Sequence, residues 1–267
     1  LDNQQPSILI DEGSETKKET RILGAIMLTT YKMRTTFKNN YNDVFLNMTD
    51  EDCYIIGFIM ADGHLKQDNN SVHITLAEID KDILIKISHY VMSKNTVKFI
   101  KKHTPNEQNK SGFAIYSKCL YDRIVLSGVE PGRKTGKERF INFKDSSKTN
   151  AFIRGYFDGD GCVRVYKRKY KEKFYDKVKV TFTCASKKML EDLKSYLILQ
   201  GIKIPEKAIY SKEGCYSLDF SSIESVYNFG KLIYKDSSMH LERKYNKFKI
   251  LDDIVRTRNE STRDKQK

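Results

Sequence analysis

The chain has 267 residues, with 48 Lys and Arg against 35 Asp and Glu, a formal net charge of +13 and a pI of about 9.3. That surplus suits a polyanion, because cations that neutralise phosphates release condensed counterions; ribosomal and membrane-surface proteins are basic too, so charge alone only permits the reading. The longest apolar run, Tyr54–Ala61, falls far short of the ~20 residues that cross a bilayer, no secretory signal pattern opens the chain, and five scattered cysteines without a CxxC read as reduced thiols of an intracellular protein, in a bacterial or phage cytoplasm or an organelle.

In chain order, residues 1–47 stand outside any pattern. Leu1–Thr20 is polar and reads as disordered, Arg21–Phe37 as a helix or a DNA-contacting arm, and Leu1 as a processed or truncated start. Residues 48–127 read as one unit. Thr49 or Asp50 caps a helix running to Asp62, and Gly63 ends it in a left-handed conformation. His64–Lys66 and Ser71–Ala77 alternate as a hairpin that lets His64 meet His73, without zinc-site spacing around them. Asp80 caps a helix with Ile83, Leu84, Ile87, Tyr90 and Val91 on one face. A hairpin over Thr96–His103 and Gly112–Ser117 and a helix over Lys118–Leu126 complete an α-β-β-α-β-β-α order.

Residues 128–149 carry Gly128, Pro131, Gly132 and Gly136 and read as a linker. The same order then returns over 150–255. It comprises a helix over Asn150–Asp160, a long hairpin over Cys162–Cys184, a helix capped by Ser186 and stopped by Gly201, a hairpin over Glu206–Phe220, a helix over Ser222–Ile233 and a final helix over Met239–Val255. Pairing Val72–Thr75 with Val178–Thr181 makes the first hairpin of the second half eight residues the longer (178 − 72 = 106, against 98 at the motifs described next). Residues 256–267 read as a charged tail.

The duplication rests on two nine-residue stretches, Ile55-Ile56-Gly57-Phe58-Ile59-Met60-Ala61-Asp62-Gly63 and Ile153-Arg154-Gly155-Tyr156-Phe157-Asp158-Gly159-Asp160-Gly161, 98 positions apart (160 − 62). Gly57 and Ala61 lie four apart on one helix face, as do Gly155 and Gly159. Small residues at that spacing let two helix backbones approach, so the motif helices are expected to pack about a pseudo-twofold axis. Asp62 and Asp160 then lie at adjacent helix C-termini, where each opposes its helix dipole and repels the other. A single Asp-Gly would read as a turn; two, each ending a small-faced helix, read as a site. Divalent cations would offset the repulsion, and the two carboxylates with the carbonyls of Ala61 and Gly159 offer the hard oxygen ligands that suit Mg²⁺. Facing a nucleic-acid backbone, such a site fits metal-assisted phosphodiester hydrolysis. An EF-hand loop is excluded, because Cys162 stands where a third oxygen ligand belongs.

The paired motif and the element order resemble the LAGLIDADG homing endonucleases in their single-chain, two-repeat form, over about residues 50–255. Met60 departs from the pattern where the motif has Asp, whereas the second acidic position is kept as Asp62 and Asp160. The resemblance implies an α+β fold of two pseudo-symmetric αββαββα repeats, a saddle of antiparallel β-ribbons and motif helices at the interface. It implies two or more divalent ions, Mg²⁺ above all, and a monomer that cuts both strands of a long, imperfectly palindromic DNA target across the minor groove. The cut would leave short 3′ overhangs, often at an intron or intein insertion site. It also implies a basic residue near each scissile phosphate, here Lys134 and Lys244, with Arg133 and Arg243 as the neighbouring choices.

DNA contact is expected along the hairpins, since β-ribbons fit the major groove. Arg164–Lys179 holds eight cations against two acids, interleaved with Tyr166, Tyr170, Phe174 and Tyr175. From it Arg164, Tyr166, Arg168, Lys177 and Lys179 are the candidates; the first half offers Lys66, Gln67, Lys98, Lys101 and Lys102. Two rival functions use the same scaffold: an intron maturase that binds RNA, and a DNA-binding regulator that does not cut. Retention of both Asp62 and Asp160 speaks against each. A splicing intein is poorly supported, since the chain neither begins with Cys or Ser nor ends with His-Asn.

Overall fold

Local chemistry sets most element boundaries in the computed structural model, which describes residues 44–91 and 97–264, with only the backbone at 259 and 261–264. The expected N-terminal arm therefore lies outside the described residues up to position 43. The first half holds α1 (Asp50–Asp62), β1 (Gly63–Lys66), β2 (Ser71–Ala77), a 3-10 turn (Glu78–Asp80), α2 (Lys81–Val91), β3 (Lys98–Ile100), β4 (Lys110–Tyr116) and α3 (Lys118–Leu126). The second holds α4 (Ser146–Asp160), β5 (Gly161–Tyr170), β6 (Lys173–Cys184), α5 (Lys187–Leu199), β7 (Ile209–Lys212), β8 (Cys215–Phe220), α6 (Ile223–Tyr234) and α7 (Glu242–Asp264). Polar caps mark these starts. Thr49 and Asp52 exchange hydrogen bonds at α1, and Ser117, Ser186 and Ser222 accept from the first turns of α3, α5 and α6.

Each half forms a four-stranded antiparallel sheet, ordered β1-β2-β4-β3 and β5-β6-β8-β7. One face of each sheet is packed by helices, α1 to α3 on the first and α4 to α7 on the second. Along β2 the residues Val72, Ile74 and Leu76 point into the core, and along β6 Val178, Val180, Phe182 and Cys184 do so.

Several expectations are corrected. Gly63 is not left-handed: it is extended (φ −80°, ψ 158°), and so is Gly161 (φ −78°, ψ 158°). Glycine is needed there because a Cβ on either would lie 2.6 Å from the carbonyl oxygen of Ile59 or Phe157. Asp80 caps no helix; α2 follows a 3-10 turn, and the Asp80 carboxylate binds Arg243 instead. Helix α4 begins at Ser146, ahead of Asn150, because Asp145 accepts the Ser147 N–H at 2.9 Å. Part of the expected charged tail, through Asp264, continues α7.

The hairpin comparison also shifts. Gly63 pairs with Ile74, eleven positions on, whereas Gly161 pairs with Phe182, twenty-one positions on. The second hairpin is thus ten residues longer, not eight, and the first half recovers two in its 3-10 turn. A shift of two keeps every side chain on its face, so the apolar pattern alone does not reveal it.

The halves meet through α1 and α4. A Cβ on Gly57 would sit 2.1 Å from Phe152 O, and one on Gly155 would sit 1.9 Å from Tyr54 O. Tyr54 and Phe152 are equivalent positions of the repeat, so these are one contact viewed from either side of a pseudo-twofold axis. Backbone touches backbone, and no rotamer change can make room. Gly155→Ala is expected to cost at least about 1–3 kcal/mol, the scale of overpacking. It would be read as a lower urea midpoint at unchanged slope; a wild-type midpoint would mean that the helices are not held at backbone contact.

Candidate active site

The helix crossing delivers the two carboxylates. Asp62 and Asp160 are the last residues of α1 and α4, and both reach solvent. A Cβ on Gly159 would lie 2.3 Å from the Ala61 Cβ and 3.2 Å from Asp62 Oδ2. The Asp62 carboxylate therefore overhangs the end of the opposite motif helix, and any side chain at Gly159 would displace it.

Both lysines assigned through the resemblance come to these helix ends. Lys134, on the loop between α3 and α4, donates from Nζ to the carbonyls of Ile59 (3.3 Å), Met60 (2.7 Å), Gly63 (2.9 Å) and Ala61. Gly132 N–H anchors that loop on Leu65 O at 2.9 Å. Lys244, in the first turn of α7 and 3 % exposed, donates to Phe157 O (2.7 Å), Asp158 O (2.7 Å) and Gly159 O (3.0 Å). Each ammonium thus satisfies the terminal carbonyls of a motif helix and sits at the negative end of its dipole. Ala61 and Gly159, expected as metal-ligating carbonyls, accept these lysines here, each with a second lone pair to offer. Arg133 is exposed, and Arg243 is committed to Asp80.

The electrostatics follow from crowding. Loss of hydration raises the Asp160 pKa to about 6, with repulsion from Asp62 next, while Lys134 and Lys244 pull it down. Asp62 is raised by the same loss of hydration, opposed by Lys244 and Lys134. Burial lowers Lys134, and lowers Lys244 to about 8. Ionised carboxylates held this way gain from a cation. Among the described residues no cluster of three or more His, Cys, Asp or Glu side chains can cage a metal. An oxygen-only set of two carboxylates fits Mg²⁺, which commonly takes one or two carboxylates and completes its shell with water and substrate phosphate.

Sequence patterns missed two acidic groups. Glu138, in the loop with Lys134, adds to the negative field on Asp160, and its Oε2 is buried without a hydrogen-bond partner among the described residues. Asp158 lies under the site, fully enclosed, accepting from Tyr54 OH, Tyr234 OH and Leu241 N–H. It stands where the first repeat has Met60, and that mismatch was the available signal.

The remaining candidates line the sheets, apart from the carboxylates. Arg164, Tyr166 and Arg168 alternate along β5 and face Lys179, Lys177 and Tyr175 of β6. Arg164, Arg168 and Lys177 are exposed, as are Tyr166 (48 %) and Tyr170 (65 %). Lys179 is partly neutralised by Asp219 at 2.7 Å. A shallow cleft lined by Arg164, Val165, Tyr166, Lys179 and Lys247 runs along this hairpin. Lys66, Gln67, Lys98, Lys101 and Lys102 are exposed around the first sheet. His64 does pair with His73 across the first hairpin.

The Asp160 shift makes a signed prediction. Its folded-state pKa lies above the ordinary 3.8, so the native state holds the proton more tightly. From about pH 4 to 6 the unfolded chain ionises first, and stability falls as pH rises. Asp160→Asn, which never ionises, should raise the metal-free Tm at pH 7.5 and lose that advantage near pH 4. No gain at pH 7.5 would show that the carboxylate is not held against its surroundings.

Known proteins share this fold. The LAGLIDADG-like domain family matches residues 147–234. No curated protein sequence matches the chain. Among solved structures, LAGLIDADG homing endonuclease I-GzeII in complex with its DNA target is similar at 12% identity, covering 79% of this chain and 91% of that one, with a TM-score of 0.54. I-SmaMI bound to uncleaved DNA in the presence of calcium ions gives 14% identity, 78% and 92% coverage and a TM-score of 0.51. The LAGLIDADG meganuclease I-CpaMI bound to uncleaved DNA gives 12%, 78%, 92% and 0.52. Residues 147–234 thus match the LAGLIDADG-like domain family, and the chain, with its duplicated motif and paired carboxylates, has the fold of the LAGLIDADG homing endonucleases.

Proposed function

We propose that the protein is a site-specific double-strand DNA endonuclease that acts as a monomer on a long, asymmetric target and leaves short 3′ overhangs. The observation that carries this reading is the convergence of Asp62, Asp160, Lys134 and Lys244 on the touching ends of α1 and α4. Asp62 and Asp160 would hold Mg²⁺, which when bound supplies a Lewis acid and an activated water at neutral pH. Through the bound cations, the two carboxylates would orient the scissile phosphates. Lys134 and Lys244, held by the helix-end carbonyls, place positive charge where the departing oxygen gains negative charge. The long basic hairpin and its shorter counterpart contact the two half-sites, and their unequal lengths favour an asymmetric target.

The test is cleavage of a randomised duplex library with Mg²⁺. Wild type should yield one enriched cut site, whereas Asp62→Asn and Asp160→Asn should bind it and cut about 100-fold more slowly or worse, the scale of losing one stabiliser of developing charge. Tight binding by wild type without any cutting would leave the non-cleaving regulator as the better reading. Arg164→Ala combined with Arg168→Ala should weaken binding and reduce the slope of log K against log salt by about 2 if both arginines meet phosphates. An unchanged slope with relaxed sequence preference would assign them to bases instead.

A further inference from the structure

Lys244 is the more deeply buried of the two lysines, and the segment leading to it, Met239–Lys244, is fastened from two directions. From inside its own half, Asp158 Oδ2 accepts the Leu241 N–H at 2.8 Å and the same carboxylate accepts Tyr234 OH at 2.6 Å, and Tyr54 of the first half also donates to it at 3.0 Å. The Arg154 guanidinium, set against the Tyr54 ring, donates to Met239 O at 2.9 Å and Ile233 O at 2.7 Å. From the other half, Asp80 takes a bidentate pair from Arg243, with Nε at 2.7 Å and Nη2 at 2.9 Å, and its side chain is only 8% exposed. Leu241 O in turn accepts the Lys244 N–H at 3.0 Å. The strap is therefore held at Met239, Leu241 and Arg243, five, three and one residues before the lysine whose ammonium enters the site.

The first half is built differently. Met60 stands at the position of Asp158 and accepts nothing through its side chain, and Lys134 arrives on a loop anchored by the Gly132–Leu65 backbone hydrogen bond. We propose that Asp158 and Asp80 are positioning residues that hold the Met239–Lys244 strap and thereby set Lys244 in one of the two reaction centres, while Lys134 is set without such a strap. Bidentate and charge-assisted hydrogen bonds have the directionality for this role. Through Asp80, the first half of the chain fixes a catalytic group of the second. The consequence for catalysis rests on the endonuclease reading; the consequence for the strap does not.

Two measurements test the inference. Amide hydrogen exchange over residues 239–245, on the full chain without DNA, reads the strap directly. Asp80→Asn and Tyr234→Phe should accelerate it by about tenfold, the scale of one lost hydrogen bond to a charged group, with exchange in α1 and α4 unchanged. Cleavage of a duplex labelled on each strand reads the consequence. Asp158→Asn and Asp80→Asn should slow one strand selectively and accumulate nicked DNA, and the same substitutions placed on Lys244→Ala should cause no further loss, since they act through that lysine. Unchanged exchange at 239–245, or equal slowing of both strands that persists on Lys244→Ala, would overturn the proposal. If Asp158→Asn fails to fold, the Asp80 and Tyr234 variants decide it. If wild type cuts no duplex, the endonuclease reading fails while the exchange result still decides the strap.

Discussion

Where α1 and α4 cross, the Cα of Gly57 lies against the carbonyl of Phe152 and that of Gly155 against the carbonyl of Tyr54. Ordinary helix pairs keep 8–10 Å between their axes because side chains intervene; here the intervening atoms are absent. Two helices that touch along their backbones and run toward a common end must bring their last residues together. The carboxylates of Asp62 and Asp160 are neighbours for that reason, and the pseudo-twofold axis of the fold passes through the same contact.

Bringing two acids and two helix C-termini together concentrates negative potential, and the structure answers with two ammonium groups. Lys134 and Lys244 occupy the terminal carbonyls, so the orphan acceptors of each motif helix are satisfied by two ammonium groups. Balance is incomplete. Loss of hydration leaves the Asp62 and Asp160 carboxyls with raised pKa values despite the two lysines. A site that is destabilising by itself is a common property of functional centres, where local stability is exchanged for reactivity.

Symmetry governs the crossing and ends just beyond it. The second half has Asp158 where the first has Met60, a hairpin ten residues longer by register, and a lysine set by a strap that also engages Asp80 of the first half. A duplicated scaffold can keep its backbone contact while its two flanks diverge, because only the small residues at the crossing are forced by geometry.

The repeat, the helix starts and the small-faced motif helices were legible in the sequence because their causes are local: a Ser or Thr oxygen three residues from an N–H, a side chain missing at i and i+4. The same holds for Asp62 and Asp160, whose position at helix ends follows from the motif itself. Other features needed the folded chain. Asp80 looks like a cap from its neighbours, yet its partner Arg243 lies 163 residues away. The two-residue register difference is silent in a pattern of period two, and residues 256–264 carry no apolar period, although they continue α7. Sequence alone determined that two equivalent helices end in carboxylates. Only the tertiary structure decided that the carboxylates lie beside two lysines, and that Arg243, next to one of those lysines, is bound by the opposite half, because both facts depend on hydrogen bonds between residues that no local pattern connects.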